Sequence, residues 1–311
     1  MERITRKMGG LVGLLKIGPI SSRLFQQLIC VSLIFLLSLG LGGSTKKTQA
    51  IKVPIFGFHD IVDLADVNDA PPYRKKIESD YTKQDLYPFL NYLVDHHYWF
   101  LSTQDLYTYF IKKSQPIPDE YLNRKPVMIT FDDGYYSIRK NVLPILKDLD
   151  RNYGETVKIA LFVNSKYVGS KIKGHLPHLS CEELQEGYRA GFYDIQSHGH
   201  GHRKFTRLRL KSLKTDLAIA KDELRKCMQE LDTKAWTASH IAYPFGAISR
   251  RVEKYLPEYY LTGYLYDDVI SRPNKLRNPY RISRIRVNRS LSPRQLIKLA
   301  EKATVIQSAS I

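Results

Sequence analysis

The sequence has few cysteines and no apolar run long enough for an ordinary membrane span. Three cysteines occur in 311 residues, at positions 30, 181 and 227. The apolar run at residues 28–41 is shorter than the roughly 20 residues that a spanning helix needs. No cysteine lies directly after this run, which argues against a lipoprotein. Internal repeats and low-complexity segments are also absent from the sequence. These absences predict a globular chain with a short N-terminal targeting segment.

Acidic residues are also scarce, since 31 of them oppose 48 basic residues and give a formal net charge of +17. Such a balance suits an anionic partner, for example a cell-surface polymer, lipid head groups or nucleic acid. RNA-recognition, zinc-finger and basic helix-turn-helix patterns are all missing from the sequence, so we expect no nucleic-acid partner. Apolar residues make up 43% of the chain, which is enough for a sizeable core.

The first fifty residues have the pattern of a targeting segment. Basic residues up to Arg23 precede the apolar run, and small and polar residues follow it up to Ala50. This order predicts a secretory signal peptide or an uncleaved signal anchor in residues 1–50, with membrane anchorage as one outcome. A buried core helix is the alternative. We therefore expect an exported protein of the periplasm, cell envelope or extracellular space. Cys181 and Cys227 could pair there, although two unpaired thiols are the favoured interpretation.

Apolar strand-like segments alternate with amphipathic helical segments along residues 51–311. Strands are predicted at 53–61, 98–101, 127–131, 157–163, 192–196, 240–243, 261–266 and 284–287. Helices are predicted at 85–97, 103–113, 137–150, 181–190, 212–231 and 292–303, with a kink or break at Pro144 and a cap at Ser292. This alternation predicts an α/β fold in which a parallel sheet is wrapped by helices. About seven such units indicate an irregular (β/α)7-type barrel.

Polar side chains follow four of these predicted strands. They are His59, the pair Asp132 and Asp133, His198 after Ser197, and the Phe245 region. In parallel barrels the reactive groups lie at the carboxyl ends of strands, so we expect these residues to share one face.

Two of these segments could bind a metal ion. Adjacent carboxylates after a buried strand, as in TFDDGY, could divide between a metal and a substrate water, or could act as a helix N-terminal pair. In SHGHGH, His198 and His202 have the H-x3-H spacing that suits one zinc ion, which binds neutral imidazole and carboxylate. His200 would then point elsewhere. A solvated histidine-rich loop is the alternative.

Together, TFDDGY, DIQSHGHGH and AYPFG resemble the three motifs of polysaccharide deacetylases of the NodB-homology type, carbohydrate esterase family four. The resemblance covers residues 51–299, with weaker support from VPIFGFHDI and PYRISRIRV. It implies an irregular parallel barrel and a divalent metal, Zn²⁺ or another transition metal, bound by Asp133, His198 and His202. It also implies that Asp132 is the general base and that a backbone N–H near Phe245 stabilises the oxyanion.

The sequence departs from the family pattern at two positions. Ala242 stands where many members have an arginine that orients the base, and the segment 285–287 lacks the histidine of a terminal Leu-x-His motif. His59 resembles the catalytic acid of members that act on poly-N-acetylglucosamine, which this chain resembles most. A structural histidine is the alternative for His59, and His200 and His240 are the other candidates for the acid. Phe245 is a further departure, since it stands where many members have a tyrosine, and it is compatible with the pattern if only its backbone is used.

Three further groups of residues each have a structural and a functional interpretation. Tyr135 and Tyr136 could stack on sugar rings or pack in the core. The loop with His175 and His178 could border the site, although a solvated loop is favoured. The basic segment 204–214 is expected to be a solvated helix edge.

The resemblance implies an exported, metal-dependent carbohydrate deacetylase, with residues 51–311 as its catalytic domain. Its partner would be an N-acetylated polysaccharide such as poly-N-acetylglucosamine, a chitin-like polymer or peptidoglycan. A noncatalytic glycan-binding protein with the same fold is the main alternative, motivated by the two missing residues. A basic membrane-surface or nucleic-acid binder is a third interpretation, which depends on charge alone.

Overall fold

The computed structural model describes residues 50–69, 77–172 and 175–307. The segment predicted as a signal or anchor lies outside these ranges, apart from Ala50. Within the described ranges, none of the helices has the length and apolar character needed to cross a membrane. The strands are β1 Ile55–Phe58, β2 Ile61–Val62, β3 Tyr81–Thr82, β4 Trp99–Phe100, β5 Pro126–Asp133, β6 Ile159–Val163, β7 Tyr193–Ser197, β8 His240–Ala242, β9 Thr262–Tyr264 and β10 Ile285–Arg286.

The longer helices surround the sheet and agree with the predicted segments to within a few residues at each end. The α-helices are α1 Lys83–Asp95, α2 Thr103–Asp105, α3 Leu143–Tyr153, α4 Cys181–Arg189, α5 Leu210–Met228, α6 Arg250–Glu253 and α7 Pro293–Ala300. α2 continues as a π-helix, Leu106–Ile111, and a second π-helical stretch, Ile138–Val142, leads into α3. Ser292 caps α7 as predicted, since its side chain accepts a hydrogen bond from the backbone N–H of Gln295.

Seven parallel strands form one continuous path in the order β10-β1-β5-β6-β7-β8-β9, with β4 paired to β5 beside it. Tyr264 of β9 forms an isolated parallel bridge with Ile282, just before β10, so the two ends of the path approach each other. The prediction of an irregular parallel barrel of about seven strands is therefore confirmed. The predicted strand 53–61 is split into β1 and β2, because the chain leaves the sheet at His59 and Asp60.

The alternation of side chains along β5 places the polar residues inside the barrel. Phe131 and Ile129 belong to the outer core, where Phe89 of α1 also packs. Met128 points to the opposite face and belongs to a second, inner cluster with Phe162. Because side chains alternate along a strand, Thr130 and Asp132 follow Met128 on the inner face. Asp132 therefore lies inside the barrel, at the carboxyl end of β5.

A disulfide joins Cys181, the first residue of α4, to Cys227 in α5, 46 residues further along the chain. The favoured prediction of two unpaired thiols is therefore wrong. Sequence could not place α4 beside α5, and a disulfide requires the two Cα atoms to be close, here 5.4 Å apart. The pairing is typical of proteins that fold in an oxidising compartment.

The predicted break at Pro144 has a different form. Pro144 is the second residue of α3, and the turn before it is π-helical, so the helical backbone continues from Ile138 through Pro144 into α3. The proline therefore marks the change from π- to α-helix and does not kink a continuous α-helix.

Candidate active site

The structure brings together three residues that the sequence placed after two different strands, Asp133 after one and His198 and His202 after the other. One ligand atom each from Asp133, His198 and His202 lies within 4.8 Å of the others. Asp133 Oδ1 is 3.6 Å from His198 Nε2 and 3.3 Å from His202 Nε2. Two imidazoles and one carboxylate are a usual donor set for catalytic zinc, which keeps one position for water or substrate. The donor set therefore fits a divalent transition metal.

His198 is held in the form that binds metal. Its Nδ1 lies 3.0 Å from the carbonyl oxygen of Ala242, which can only accept a hydrogen bond, so Nδ1 carries the proton and Nε2 offers its lone pair. Burial lowers the pKa of His198 to about 4, although the neighbouring carboxylates act in the opposite direction. His198 is therefore neutral at neutral pH, as a metal ligand must be.

Asp133 takes a backbone conformation that is unusual for a residue with a side chain, with φ of 70°. This turn at the end of β5 allows Asp133 to face the histidines while Asp132 stays on the inner face of the barrel. Asn164 Nδ2 donates a hydrogen bond of 2.9 Å to Asp133 Oδ1. Burial alone would raise the pKa of Asp133, but His198 and His59 outweigh this effect and hold the pKa below its usual value.

The SHGHGH segment turns tightly around Asp216. The buried Asp216 carboxylate accepts backbone N–H groups from His200, at 2.8 Å, and from Gly201, at 3.3 Å. Gly199 has φ of 75°, and a Cβ there would lie 2.9 Å from Asp216 Oδ1. Glycine is therefore needed at this position. His200 points away and contacts Ser165 and Glu223, as its predicted bystander role requires and contrary to its candidacy as the acid.

The arginine missing from the third motif has a replacement elsewhere in the chain. Arg284 binds both oxygens of Asp132, at 2.7 and 2.9 Å, and both side chains are fully buried. Burial alone would raise the pKa of Asp132, but Arg284 and His198 outweigh burial and lower it to about 2. Sequence reasoning missed Arg284, although it lies in the segment PYRISRIRV that supported the resemblance. The only signal was its position as the first residue of the short predicted strand 284–287, which it shares with Arg286.

Aromatic rings fix the guanidinium of Arg284. It lies 4.1 Å from the ring centre of Tyr266 and 5.1 Å from that of Phe162. Its Nε also donates to the carbonyl oxygen of Leu265 at 3.0 Å. A Cβ on Gly57 would lie 2.3 Å from the Tyr266 hydroxyl oxygen and 2.5 Å from its Cε1, so only glycine at this position of β1 leaves room for the Tyr266 side chain. These contacts hold the Arg284 fork rigidly against Asp132.

His59 lines a cavity with a volume of about 730 Å³ beside the Asp133–His198–His202 cluster. Asp132, His198, Phe245 and Tyr266 also line this reaction cavity. The His59 ring stacks on Tyr266 with centroids 5.6 Å apart, and its Nδ1 has no hydrogen-bond partner among the residues that the structure describes. His59 and Asp132 therefore line one cavity. His240 lies at the start of β8, at the other end of the sheet, and is excluded as the acid.

Phe245 and Tyr135 border the cavity, as expected of groups that contact substrate. Phe245 has φ of 62°, is 59% exposed and packs on the His202 ring at 4.6 Å. Tyr135 is half-buried and its ring lies 5.0 Å from that of His178. His178 therefore belongs to the border of the site, and the favoured prediction of a solvated loop is wrong for this residue. The backbone bridge between Tyr135 and His178 could not be seen in the sequence.

Comparison with known proteins agrees with this geometry. Residues 119–264 match the family model of polysaccharide deacetylases. A poly-β-1,6-N-acetyl-D-glucosamine N-deacetylase of Staphylococcus aureus is 28% identical over 206 residues, which cover 64% of each chain. A 26% identical protein of the same name from Staphylococcus epidermidis matches over 171 residues, or 54% of each chain. The chain thus matches less than two thirds of these relatives' length.

Solved structures show the same fold. The deacetylase PplD of Streptococcus pyogenes superposes with a TM-score of 0.66 at 20% identity, covering 81% of this chain and 99% of that one. IcaB from Ammonifex degensii gives a TM-score of 0.62 at 18% identity, covering 81% and 98%. The matched region of the family model contains Asp132, Asp133, His198 and His202. Residues 119–264 are therefore similar to the polysaccharide deacetylase family, and the chain has the fold of these solved deacetylases.

Proposed function

We propose that this protein is an exported, metal-dependent hydrolase that removes N-acetyl groups from a polysaccharide. The observation that carries the proposal is the cluster of Asp133, His198 and His202 beside the buried Asp132–Arg284 pair. The printed name of the staphylococcal relatives makes poly-N-acetylglucosamine the first substrate to test, ahead of chitin-like polymers and peptidoglycan.

Asp133, His198 and His202 would hold the metal, with Zn²⁺ as the first candidate. When bound there, the ion lowers the pKa of water and polarises the acetamide carbonyl. Asp132 accepts the proton of the attacking water, and Arg284 keeps this carboxylate ionised and correctly oriented. The backbone N–H near Phe245 stabilises the charge that develops on the carbonyl oxygen. His59 donates the proton that the departing amine needs.

We assign residues 1–50 as a signal peptide or signal anchor and residues 51–311 as the catalytic domain. The Cys181–Cys227 disulfide supports export, because such bonds persist in oxidising compartments. A signal anchor would keep the protein at the membrane surface, and a cleaved signal would release it.

Both observations that favoured a noncatalytic glycan-binding protein have another explanation. That interpretation was based on the missing arginine of the third motif and on the missing terminal histidine. Arg284 contacts the base directly, and His59 lies in the cavity with it.

The test is acetate release by the purified full-length protein. Poly-β-1,6-N-acetylglucosamine, chito-oligosaccharides and peptidoglycan are each incubated with the protein as isolated, after chelation, and after Zn²⁺, Co²⁺ or Ni²⁺ is added back. We expect release that is lost on chelation and restored by metal. No acetate from any of these substrates, or from O-acetylated glycan, would refute the proposal.

A further inference from the structure

A basic segment begins at the rim of the reaction cavity. Residues 203–214 follow the proposed metal ligand His202 and contain six basic residues and no acidic residue. The Lys204 ammonium lies 5.1 Å from the ring centre of Phe245, which lines the reaction cavity. We propose that this segment and the basic residues packed beside it bind phosphate groups on the glycan strand whose acetamide occupies the reaction cavity. This inference rests on the proposed function, since it assumes such a strand.

Two segments that are distant in the sequence form one surface here. The backbone N–H of Arg207 donates to the carbonyl oxygen of Lys204 at 2.9 Å and closes a 3₁₀-turn, in which residues three positions apart stand on one side. The first turn of α6 packs beside this turn, because Arg251 Nη2 donates to two of its carbonyl oxygens, at 3.1 and 3.4 Å. Arg250, the preceding residue, is exposed. We call residues 203–211, 250 and 251 the basic surface.

The acidic residues next to the basic surface are already paired. Asp216 is buried and binds Arg203 Nη2 at 3.1 Å, besides the backbone of the SHGHGH segment. Glu258 binds Lys214 Nζ at 2.8 Å, and Glu253 binds an arginine outside the surface. Among the residues that the structure describes, five cations of the basic surface therefore have no carboxylate partner, namely Lys204, Arg207, Arg209, Lys211 and Arg250.

Phosphate is the anion that suits these five cations. Three of them are arginines, whose planar guanidinium donates two parallel hydrogen bonds to a phosphate. A phosphate group offers about three acceptor oxygens and about two negative charges, so it can contact several cations at once. Like charges held together repel one another, and a bound polyanion removes this repulsion. A neutral glycan would leave the five cations without a partner.

A glycan strand fits the basic surface better than a membrane does. The surface continues from His202 and from the Lys204–Phe245 contact, so a strand that leaves the reaction cavity on this side crosses it. Membrane-binding segments add several inserted apolar side chains to their cations. Within residues 203–214, all of which the structure describes, Leu210 is the only exposed large apolar side chain. We therefore assign the basic surface to a phosphate-bearing strand.

The test compares hexamers that share one backbone. Chitohexaose, its 6-O-phosphorylated form and its 6-O-carboxymethylated form are titrated by calorimetry into the full-length protein after chelation, so that no turnover occurs. At low salt, we expect the phosphorylated hexamer to bind about tenfold tighter than chitohexaose, the range of several exposed ion pairs. The difference should shrink to less than about twofold in about 0.5 M NaCl, because salt screens exposed charges.

A pair of double variants locates the binding surface. Arg207→Gln with Arg209→Gln should weaken binding of the phosphorylated hexamer roughly three- to tenfold at low salt. The matched control is Arg151→Gln with Arg189→Gln, at exposed arginines that precede β6 and β7 and lie away from the reaction cavity. The control loses the same charge, and its affinity for the phosphorylated hexamer should stay within about twofold of wild type.

Several results would overturn the proposal. One is equal binding of the phosphorylated and neutral hexamers, and another is an equal loss in the control, which would indicate net charge alone. Binding of the carboxymethylated hexamer as tight as that of the phosphorylated one would refute the assignment to phosphate. Tighter binding to phosphatidylglycerol vesicles, lost in the Arg207 and Arg209 double variant, would assign the surface to a membrane. Absence of acetate release by the wild-type protein would instead count against the proposed function, because these titrations are made without turnover.

Discussion

Two buried histidines at opposite ends of the sheet have similar burial and different surroundings. His198 follows β7 at the carboxyl end, and His240 begins β8 at the amino end. Burial lowers the pKa of both, to about 4 and about 3. His198 Nε2 faces Asp133, whereas His240 bonds Thr262 Oγ1 at 2.7 Å and Gln104 Oε1 at 3.4 Å. Burial alone therefore does not give a histidine a function. The groups that its ring contacts distinguish His198 from His240.

Two carboxylates, the buried Asp132 and the half-buried Asp194, repeat this contrast. Asp132, at the carboxyl end of β5, is held ionised by Arg284. Asp194, near the amino end of β7, accepts bonds from Thr103 N and Oγ1 and from Gln196 Nε2. Burial raises the pKa of Asp194, and these neutral donors only partly offset it. At the amino end polar groups satisfy one another, and at the carboxyl end charged groups converge on a cavity. Such convergence is the usual mark of a reaction site.

The largest difference between the two ends should appear in Asp132→Asn and Asp194→Asn. We expect Asp132→Asn to lower kcat for acetate release by about 10²- to 10⁴-fold, the usual contribution of a general base. Asp194→Asn should leave kcat within about threefold, because its role is structural. Circular dichroism checks that each variant is folded. Comparable losses of kcat in the two folded variants would remove the contrast.

The histidine pair should differ in metal affinity. His198→Ala removes one proposed ligand, and we expect the Zn²⁺ dissociation constant to rise by at least about 100-fold. His240→Gln should leave it within about twofold. Competition with a chromophoric chelator measures both constants without any need for turnover. Tight Zn²⁺ binding by His198→Ala would place the metal elsewhere.

Arg284→Lys tests the fork that holds Asp132. Lysine offers a point charge in place of two parallel donors, so the carboxylate loses its orientation. We expect kcat/KM to fall by roughly tenfold. The matched control is Arg124→Lys, since Arg124 also contacts both oxygens of one carboxylate, Glu155, but lies away from the site. An Arg284→Lys enzyme as active as the control would show that orientation by the fork is dispensable.

The disulfide should affect stability much more than chemistry. Cys181→Ser with Cys227→Ser opens a 46-residue loop and should lower the free energy of unfolding by about 2–4 kcal/mol. Acetate release by the folded variant should change by less than about twofold. Urea unfolding measures the first quantity. A large loss of activity in a fully folded variant would show that the crosslink also positions the segment that carries His178.

The smallest expected effect concerns His240, at the amino end of the sheet, and the free energy of unfolding at acid pH. The native pKa of His240 is about 3, below its ordinary value of 6.5, so the unfolded chain binds more protons under acid conditions. Its contribution to stability is complete above pH 6.5 and is lost as the pH falls toward 3. When the pH falls from 6.5 to 5, the free energy of unfolding of His240→Gln should therefore decrease by about 1–2 kcal/mol less than that of the wild type. Urea unfolding at the two pH values measures this, with the exposed His97→Gln as control. Equal losses in wild type and His240→Gln would contradict it.

Most of the fold and part of the site could be predicted from the sequence. The strand and helix positions follow from apolar periodicity, which reports burial directly. Asp133, His198 and His202 could be grouped because the carboxyl ends of parallel strands share one face. The turn at His59 that splits the first strand could not be predicted, because its apolar run continues on both sides of the polar residues.

By itself, the sequence determined the parallel sheet and the residues placed at its carboxyl ends. Only the tertiary structure decided which partners those residues have. Arg284 reaches Asp132 across 152 positions, Cys181 pairs with Cys227, and His178 reaches the site through Tyr135. The physical reason is that periodicity and spacing record local backbone geometry, whereas a contact between distant segments depends on how the whole barrel is packed.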